Sequence, residues 1–251
     1  MKFNLEFLKT ILSTGSPLSP ESFEYIYSHI KKNLHLASIC GGTDIVSCFI
    51  AGNPNAPVYS GEIQSRCLGM DVEIFDSSGK KINEQKGELV CLSTFVSKPI
   101  YFWKDIDNKE FKKTYFSKYP DTWYQGDYVE VTKRDGFIVH GRSDATLNSG
   151  GVRIGTAELY RVVEKIENIN ECAAVEQRFE NDTRIILFIK LKKFSKLNTA
   201  FIELIKNKIR HSLSPKHIPS KILQVSDIPK TKSGKIVELT IKKIIHNEQI
   251  V

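Results

Sequence analysis

Nothing in this 251-residue chain approaches the run of roughly 20 apolar residues that a membrane-spanning helix needs. The opening MKFNLEFLKTIL breaks its short apolar stretch with Glu6 and Lys9, and no small-residue cleavage site follows. A cytoplasmic chain without a membrane span is therefore expected. Cysteine is sparse: Cys40, Cys48, Cys67, Cys91 and Cys172 are odd in number and include no CxxC pair, which excludes a disulfide framework and a zinc site of the usual spacing. They are expected to be buried small hydrophobes. Repeats and low-complexity segments are absent. So is any aromatic-basic platform or helix-turn-helix pattern, and nucleic acid is not expected as a partner.

What is present suits a folded chain. With 41% hydrophobic residues, 15 Gly and 9 Pro, the sequence can bury one good core or two modest ones. Its formal charge of +7 is uneven: residues 185–251 set fourteen Lys or Arg against Glu203, Asp227, Glu238 and Glu248, a balance of +10 that leaves −3 for the rest. A surface of one sign concentrates ions of the other, so the basic third points to an anionic partner.

The pattern along the chain changes once. Helix-compatible residues near 20–33 precede a turn-rich stretch in which GMDVEIFDSSGKKINEQKGELVCL reads as strands at Val72–Phe75 and residues 88–92 about a Ser-Ser-Gly turn. YVEVTKRDGFIVHGR repeats the form, with an Arg-Asp-Gly turn and a strand ending at His140. Past residue 145 helices and strands alternate. Leu159, Val162, Val163 and Ile166 fall at helical spacing behind Thr156 as N-cap, and ECAAVEQRF and RIILFIKL read as paired strands around an Asn-Asp turn. A second amphipathic helix through Phe201, Leu204, Ile205 and Ile209, a short strand at 222–225 and a last helix after Ser233 complete a small α+β domain, with a linker at 141–145.

Four stretches carry residue types suited to phosphate chemistry: GGTD at 41–44, WYQGD at 123–127, GRSDATLNSGGVRIGTAE at 141–158 and PKTKSGK at 229–235. Each has a plain structural alternative. Gly41 and Gly42 could serve a tight turn, Asp127 could be a turn acid, Arg142 could pair a surface carboxylate, and the lysines of the last stretch could be solvated charge. Their order and spacing together resemble the adenylate-forming acyl-CoA synthetase superfamily. The wording of SGGVRIGTAELYRVVE, KPIYFW and GGTDIVSCF is most similar to its acetoacetate-activating members, and the similarity runs over nearly the whole chain.

The resemblance implies a mixed α/β (α+β) fold: residues 1–140 as the end of a large AMP-binding domain, 141–145 as a hinge and 146–251 as a small mobile C-terminal domain. It implies activation of acetoacetate by ATP to an acyl-AMP, followed by transfer of the acyl group to coenzyme A. A carboxylate attacking the α-phosphorus is an anion approaching an anion, so cations and N–H donors must hold the phosphate oxygens. On this resemblance Lys235, beside Gly234, is the catalytic lysine; Gly42 and Thr43 meet the α-phosphate, and Asp44, a glutamate in most relatives, is linked to Mg2+. Gly41 would leave room in the acyl pocket, and Asp127 would accept both ribose hydroxyls. Arg142 and Arg153 would contact the nucleotide, Asp144 would be the hinge, and Gly150 and Gly151 would line the channel for coenzyme A. No role is assigned to Gln125.

One part of the family pattern is missing. A Ser/Thr/Gly-rich phosphate loop closing in lysine is not found; STGSPLSPE at 13–21 resembles instead a later segment, in which Gly15 and Ser16 would flank the adenine. Nor does GxxxxGK[ST] fit, since Pro229 stands where its first glycine would be before Gly234 and Lys235. The chain is therefore expected to be the C-terminal part of a ligase that needs an N-terminal half. The alternative is an inactive remnant, or a module that binds nucleotide or coenzyme A without catalysis.

Overall fold

The computed structural model describes residues 3–149, 152–180, 182–232 and 234–250. The chain divides into two units, Met1–Val139 and His140–Val251. In the first, β1 (Thr10–Ser13) runs parallel to β2 (His35–Ser38), with Thr10 opposite His35 and Ser13 opposite Ser38. Parallel strands need a crossover, and α1 (Pro20–Tyr25) supplies it together with a π-helical turn, Ile26–Ile30. Ser19 caps α1 by accepting from the Ser22 N–H, and Pro20 takes the first helical position, where no N–H is missed. The helix expected to reach residue 33 instead widens after Tyr25 and stops at Ile30, where the Lys31 N–H reaches back five residues to the Ile26 carbonyl.

β3 (Cys40–Gly42) follows β2 almost directly and forms an antiparallel sheet with β4 (Ser47–Ala51) and β5 (Ser65–Arg66). A four-stranded sheet contains, in order, β6 (Val72–Phe75), β7 (Lys86–Cys91), β8 (Trp123–Val131) and β9 (Phe137–Arg142), the last carrying the chain onward past Val139. Both strand pairs read from the sequence are present, although β7 begins earlier than residue 88 and ends at Cys91. Between β7 and β8 lies α2 (Lys109–Phe116), whose first turn is held by the Asp105 carboxylate accepting from the N–H groups of Glu110 and Phe111. Phe111, Tyr115, Trp123, Phe95 and Phe49 make an aromatic centre to the core.

The second unit begins with a hairpin of β10 (Leu147–Ser149) and β11 (Val152–Ile154). Next come α3 (Thr156–Val163), the antiparallel pair β12 (Ile169–Phe179) and β13 (Asp182–Leu191), α4 (Thr199–Ser212), a 3-10 turn at Pro215–His217, β14 (Lys221–Gln224) parallel to β13, and α5 (Glu238–Ile245). The strands are apolar on both faces because both faces are covered. Cys172, Ala174, Ile185, Leu187 and Ile189 pack with Leu159, Val163, Ile205 and Ile209 of α3 and α4, whereas Ala173, Val175 and Ile186 pack with Ile241 of α5. Fully burying a side chain such as Ile205 or Ile209 contributes roughly 2 kcal/mol.

Three local expectations are corrected here. Thr156 is the first helical residue and not the N-cap; Gly155 caps α3, its N–H donating to the Glu158 carboxylate at 2.9 Å. Ile166 lies beyond the end of α3 but still joins its core, and Leu204 of α4 faces outward, 45% exposed. Of the cysteines only Cys91 and Cys172 are buried; Cys40, Cys48 and Cys67 are half-buried, and all five are free thiols.

Candidate functional site

In the first unit the parallel pair sets the geometry. Gly15 and Ser16 leave the carboxyl end of β1, and Cys40, Gly41 and Gly42 follow the carboxyl end of β2, so two of the expected nucleotide segments emerge at the same end of paired strands. The crevice beyond the carboxyl ends of parallel strands is where α/β folds bind ligands. Gly15 and Ser16 are both exposed there.

β3 and β4 approach so closely that a Cβ on Gly41 would collide with the Ser47 carbonyl oxygen and the Cys48 Cα, both backbone atoms. A Cβ on Gly42 would strike the Asp44 carboxylate and the Gln125 amide. Gly41 is thus required by backbone packing, whatever ligand the turn after it meets, whereas at Gly42 the obstructing atoms are side-chain ends that can move. That turn, residues 43–46, closes through the Val46 N–H to the Thr43 carbonyl and leaves Thr43 and Asp44 exposed.

Two motifs about eighty residues apart in sequence meet at Asp44. Its Oδ2 accepts from the Tyr115 hydroxyl at 2.6 Å and its Oδ1 from the Gln125 amide at 3.4 Å. The Gln125 Oε1 in turn accepts from Trp123 Nε1 at 2.8 Å, and Trp123 stacks on Tyr115 with ring centroids 3.8 Å apart and planes 17° apart. Asp127, buried, accepts from the Cys40 thiol at 3.6 Å. Opposite Glu88 and Val90 of β7 the register of β8 shifts, and Gly126 sits in that irregularity at φ 83°. A bulge re-aims the next side chain, and only glycine adopts that backbone without strain, which explains the Gly-Asp pair of WYQGD. Thr43, Asp44 and Asp127 are therefore brought into one neighbourhood by β3, the turn after it and β8.

Sequence reasoning missed Gln125 and Tyr115. The first lies inside a motif already singled out. Tyr115 stands four residues after Phe111 on the buried face of α2 and looks only like core; its hydroxyl is the polar handle that could have marked it.

The exposed carboxylate of Asp44 could supply one ligand to a cation that drew its others from phosphate and water. Mg2+ is commonly bound through one or two carboxylates together with phosphate oxygens and water, and Asp44 is exposed with the longer of its two hydrogen bonds on Oδ1. Among the described residues no group of three or more His, Cys, Asp or Glu could form a protein cage for a metal ion.

In the second unit Arg142, Asp144 and Arg153 converge on the turn after β9. Arg142 Nη2 lies 3.4 Å from Asp144 Oδ2, both side chains about half exposed. Arg153, on β11, donates from Nε to the Thr146 hydroxyl at 2.9 Å and from Nη2 to the Ser143 carbonyl at 3.0 Å. Its guanidinium therefore braces the turn that contains Asp144. Gly150 and Gly151 lie outside the described residues.

Lys235 rides on a closed loop. The Thr231 N–H donates to the Lys235 carbonyl at 2.8 Å, the Gly234 N–H to the Thr231 carbonyl at 2.9 Å, and the Lys235 N–H to the Thr231 hydroxyl at 3.1 Å. Lys230 pairs with Ile236 across the loop and places Nζ 2.7 Å from Glu171 Oε1 on β12. Just beyond, Glu238 opens α5 and accepts at 3.0 Å from the Tyr160 hydroxyl, which itself accepts from the Ala174 N–H. Burial, then the like charge of Asp144, raises the Glu238 carboxyl above its ordinary value, against the Tyr160 hydrogen bond; burial first and the Glu238 charge next hold the Tyr160 hydroxyl well above the usual phenol range. Both feet of the loop are fixed to the sheet and α3, while Lys235 itself is exposed.

Known proteins are similar to this chain in sequence and fold. Residues 161–235 match the family model of the AMP-binding enzyme C-terminal domain. Acetoacetyl-coenzyme A synthetase of Rhizobium meliloti (strain 1021) is 48% identical over 247 residues, 98% of this chain and 38% of the relative; acetoacetyl-CoA synthetase of Xenopus tropicalis is 44% identical over 249 residues, 98% of this chain and 37% of the relative. The solved acetoacetyl-CoA synthetase from Streptomyces lividans superposes with a TM-score of 0.86 at 36% identity, over 95% of this chain and 36% of that one. The chain thus spans well under half the length of the relatives it matches. Over the part of their length that it spans, the chain is a relative of the acetoacetyl-CoA synthetases, and within it residues 161–235 match the AMP-binding enzyme C-terminal domain.

Proposed function

We propose that this chain contributes the nucleotide-contacting and lysine-bearing part of an acetoacetate–CoA ligase, which forms acetoacetyl-AMP from acetoacetate and ATP and passes the acyl group to coenzyme A. The observation that carries the reading is the meeting of GGTD and WYQGD through Asp44 and Gln125, in a chain 48% identical to an acetoacetyl-CoA synthetase. In this reading Thr43 donates to the α-phosphate, Asp44 would hold Mg2+, which would supply charge neutralisation there, and Asp127 accepts the ribose hydroxyls. Gly15 and Ser16 flank the adenine, and Gly41 borders the acyl pocket. Arg142 and Arg153 serve the nucleotide and Lys235 the developing charge, as a compact cation on a long stem. Asp144 is the hinge between the segments 1–140 and 146–251, and Gly150 and Gly151 admit the thiol arm of coenzyme A. Lysines of the basic third meet its phosphates, and the reaction is cytoplasmic.

Because the chain spans 38% of that relative, the reading requires a complementary polypeptide for the remaining functions. The test is acetoacetate-dependent ATP–pyrophosphate exchange by the purified chain, alone and with the unaligned part of the Rhizobium meliloti relative. Exchange is expected only with the complement. Vigorous exchange by the chain alone would contradict the need for a second part, and none with the complement would favour a module that binds nucleotide or coenzyme A without catalysis.

A further inference from the structure

The segment between β7 and α2 is built to display apolar side chains. Phe95 and Phe102 anchor it: Phe95 is buried edge-on to Phe49 and Trp123, and Phe102 packs edge-on to Phe111 and Tyr115. Successive turns, with the Lys98 N–H donating to the Phe95 carbonyl and the Asp105 N–H to the Phe102 carbonyl, fix the backbone between the anchors and α2. Against that frame Ile100, Tyr101, Trp103 and Ile106 point outward, Trp103 85% and Ile106 95% exposed. None of them belongs to the buried core cluster of the unit. An ordered cluster of exposed large apolar side chains marks an interaction site, and a Trp and a Tyr on a rigid frame are the residue types that dominate binding energy.

A second feature of the same unit narrows the partner. Among the described residues β1 and β2 form a two-stranded parallel sheet, with Leu12 of β1 69% exposed. Parallel sheets are found with both faces covered, and an open strand edge invites further strands. A lipid surface could not satisfy such an edge, whereas a polypeptide can, so the unit calls for a polypeptide partner. The relatives contain such a polypeptide, since 98% of this chain accounts for only 38% of the Rhizobium meliloti synthetase.

We infer that the 96–106 segment, with Trp103 and Ile106 among its exposed apolar side chains, is the docking surface for a polypeptide equivalent to the part of the acetoacetyl-CoA synthetases that this chain does not span. The inference rests on the proposed function and deepens it by naming the surface through which the complement is held.

Isothermal titration calorimetry of the full chain with the unaligned part of the Rhizobium meliloti relative tests it. A one-to-one complex is expected, weakened about 10- to 100-fold by Trp103→Asp or Ile106→Asp. Phe194→Asp, at an equally exposed apolar residue of the second unit, should leave it unchanged. Near-UV circular dichroism confirms that each variant keeps its packing, and the milder Trp103→Gln serves if one does not. A complex indifferent to the Trp103 and Ile106 variants overturns the surface. So does no complex at all, self-association of the chain that Trp103→Asp abolishes, or binding to anionic phosphatidylserine vesicles in place of the polypeptide. A complex that forms through this surface yet shows no pyrophosphate exchange leaves the inference standing and sinks the ligase reading alone.

Discussion

At the scale of single residues, Lys235 stands exposed on a loop that is held at both ends. The loop is closed by Thr231 and pinned through Lys230 and Glu238, so the lysine stem starts from a fixed point while its ammonium stays exposed. In the complemented enzyme Lys235→Ala should abolish acetoacetate-dependent pyrophosphate exchange and spare thioester formation from supplied acetoacetyl-AMP; equal loss of both half-reactions would refute the role. Glu238 gives a prediction about stability. Its carboxyl is raised, first by burial and then by the Asp144 charge, so the folded state holds that proton more tightly than the unfolded chain does. The stability it contributes is full below the ordinary value of 4.5 and is lost as pH rises through the raised value. Glu238→Gln keeps an acceptor for Tyr160 and removes that loss. Relative to the unsubstituted chain, the urea midpoint of the second unit should be higher at pH 7 and unchanged near pH 4.

At the scale of elements, the β3–β4 contact separates a packing requirement from a substrate requirement. Gly41→Ala forces a methyl group into the backbone of Ser47 and Cys48, where nothing flexible can yield. It should cost about 1–3 kcal/mol in the first unit, read from denaturant midpoints without any ligand. A neutral result would show that β3 and β4 can separate and that the glycine serves the acyl pocket alone. Most elements were legible in the sequence. Alternation gave the β6–β7 pair, and helical spacing gave α3 and α4. The start of α3 was misread because Thr156 is a better capping residue than Gly155 in isolation. A Cβ at 155 would collide with the His140 carbonyl, and Glu158 supplies the hydrogen bond that glycine cannot. The π-helical turn after Tyr25 left no trace in the periodicity, since the long Lys31-to-Ile26 hydrogen bond depends on the backbone and not on residue type.

At the scale of the whole molecule, the motif residues stood out in the sequence because their types suit phosphate chemistry. What joins them was not: Gln125 and Tyr115 reach Asp44 only because the fold brings β8 and α2 beside the turn after β3. The division into two units has its own consequence, since each has a separate core. Cores that share no buried side chains need not unfold together. Both tryptophans, Trp103 and Trp123, lie in the first unit, so fluorescence reports on it alone, whereas far-UV circular dichroism reports on both. Urea titration should therefore give a fluorescence midpoint that differs from the dichroism midpoint. Gly41→Ala should move the fluorescence transition and leave the second in place, and Glu238→Gln should do the reverse at pH 7. One coincident transition that both substitutions shift would show the two units to be a single cooperative structure.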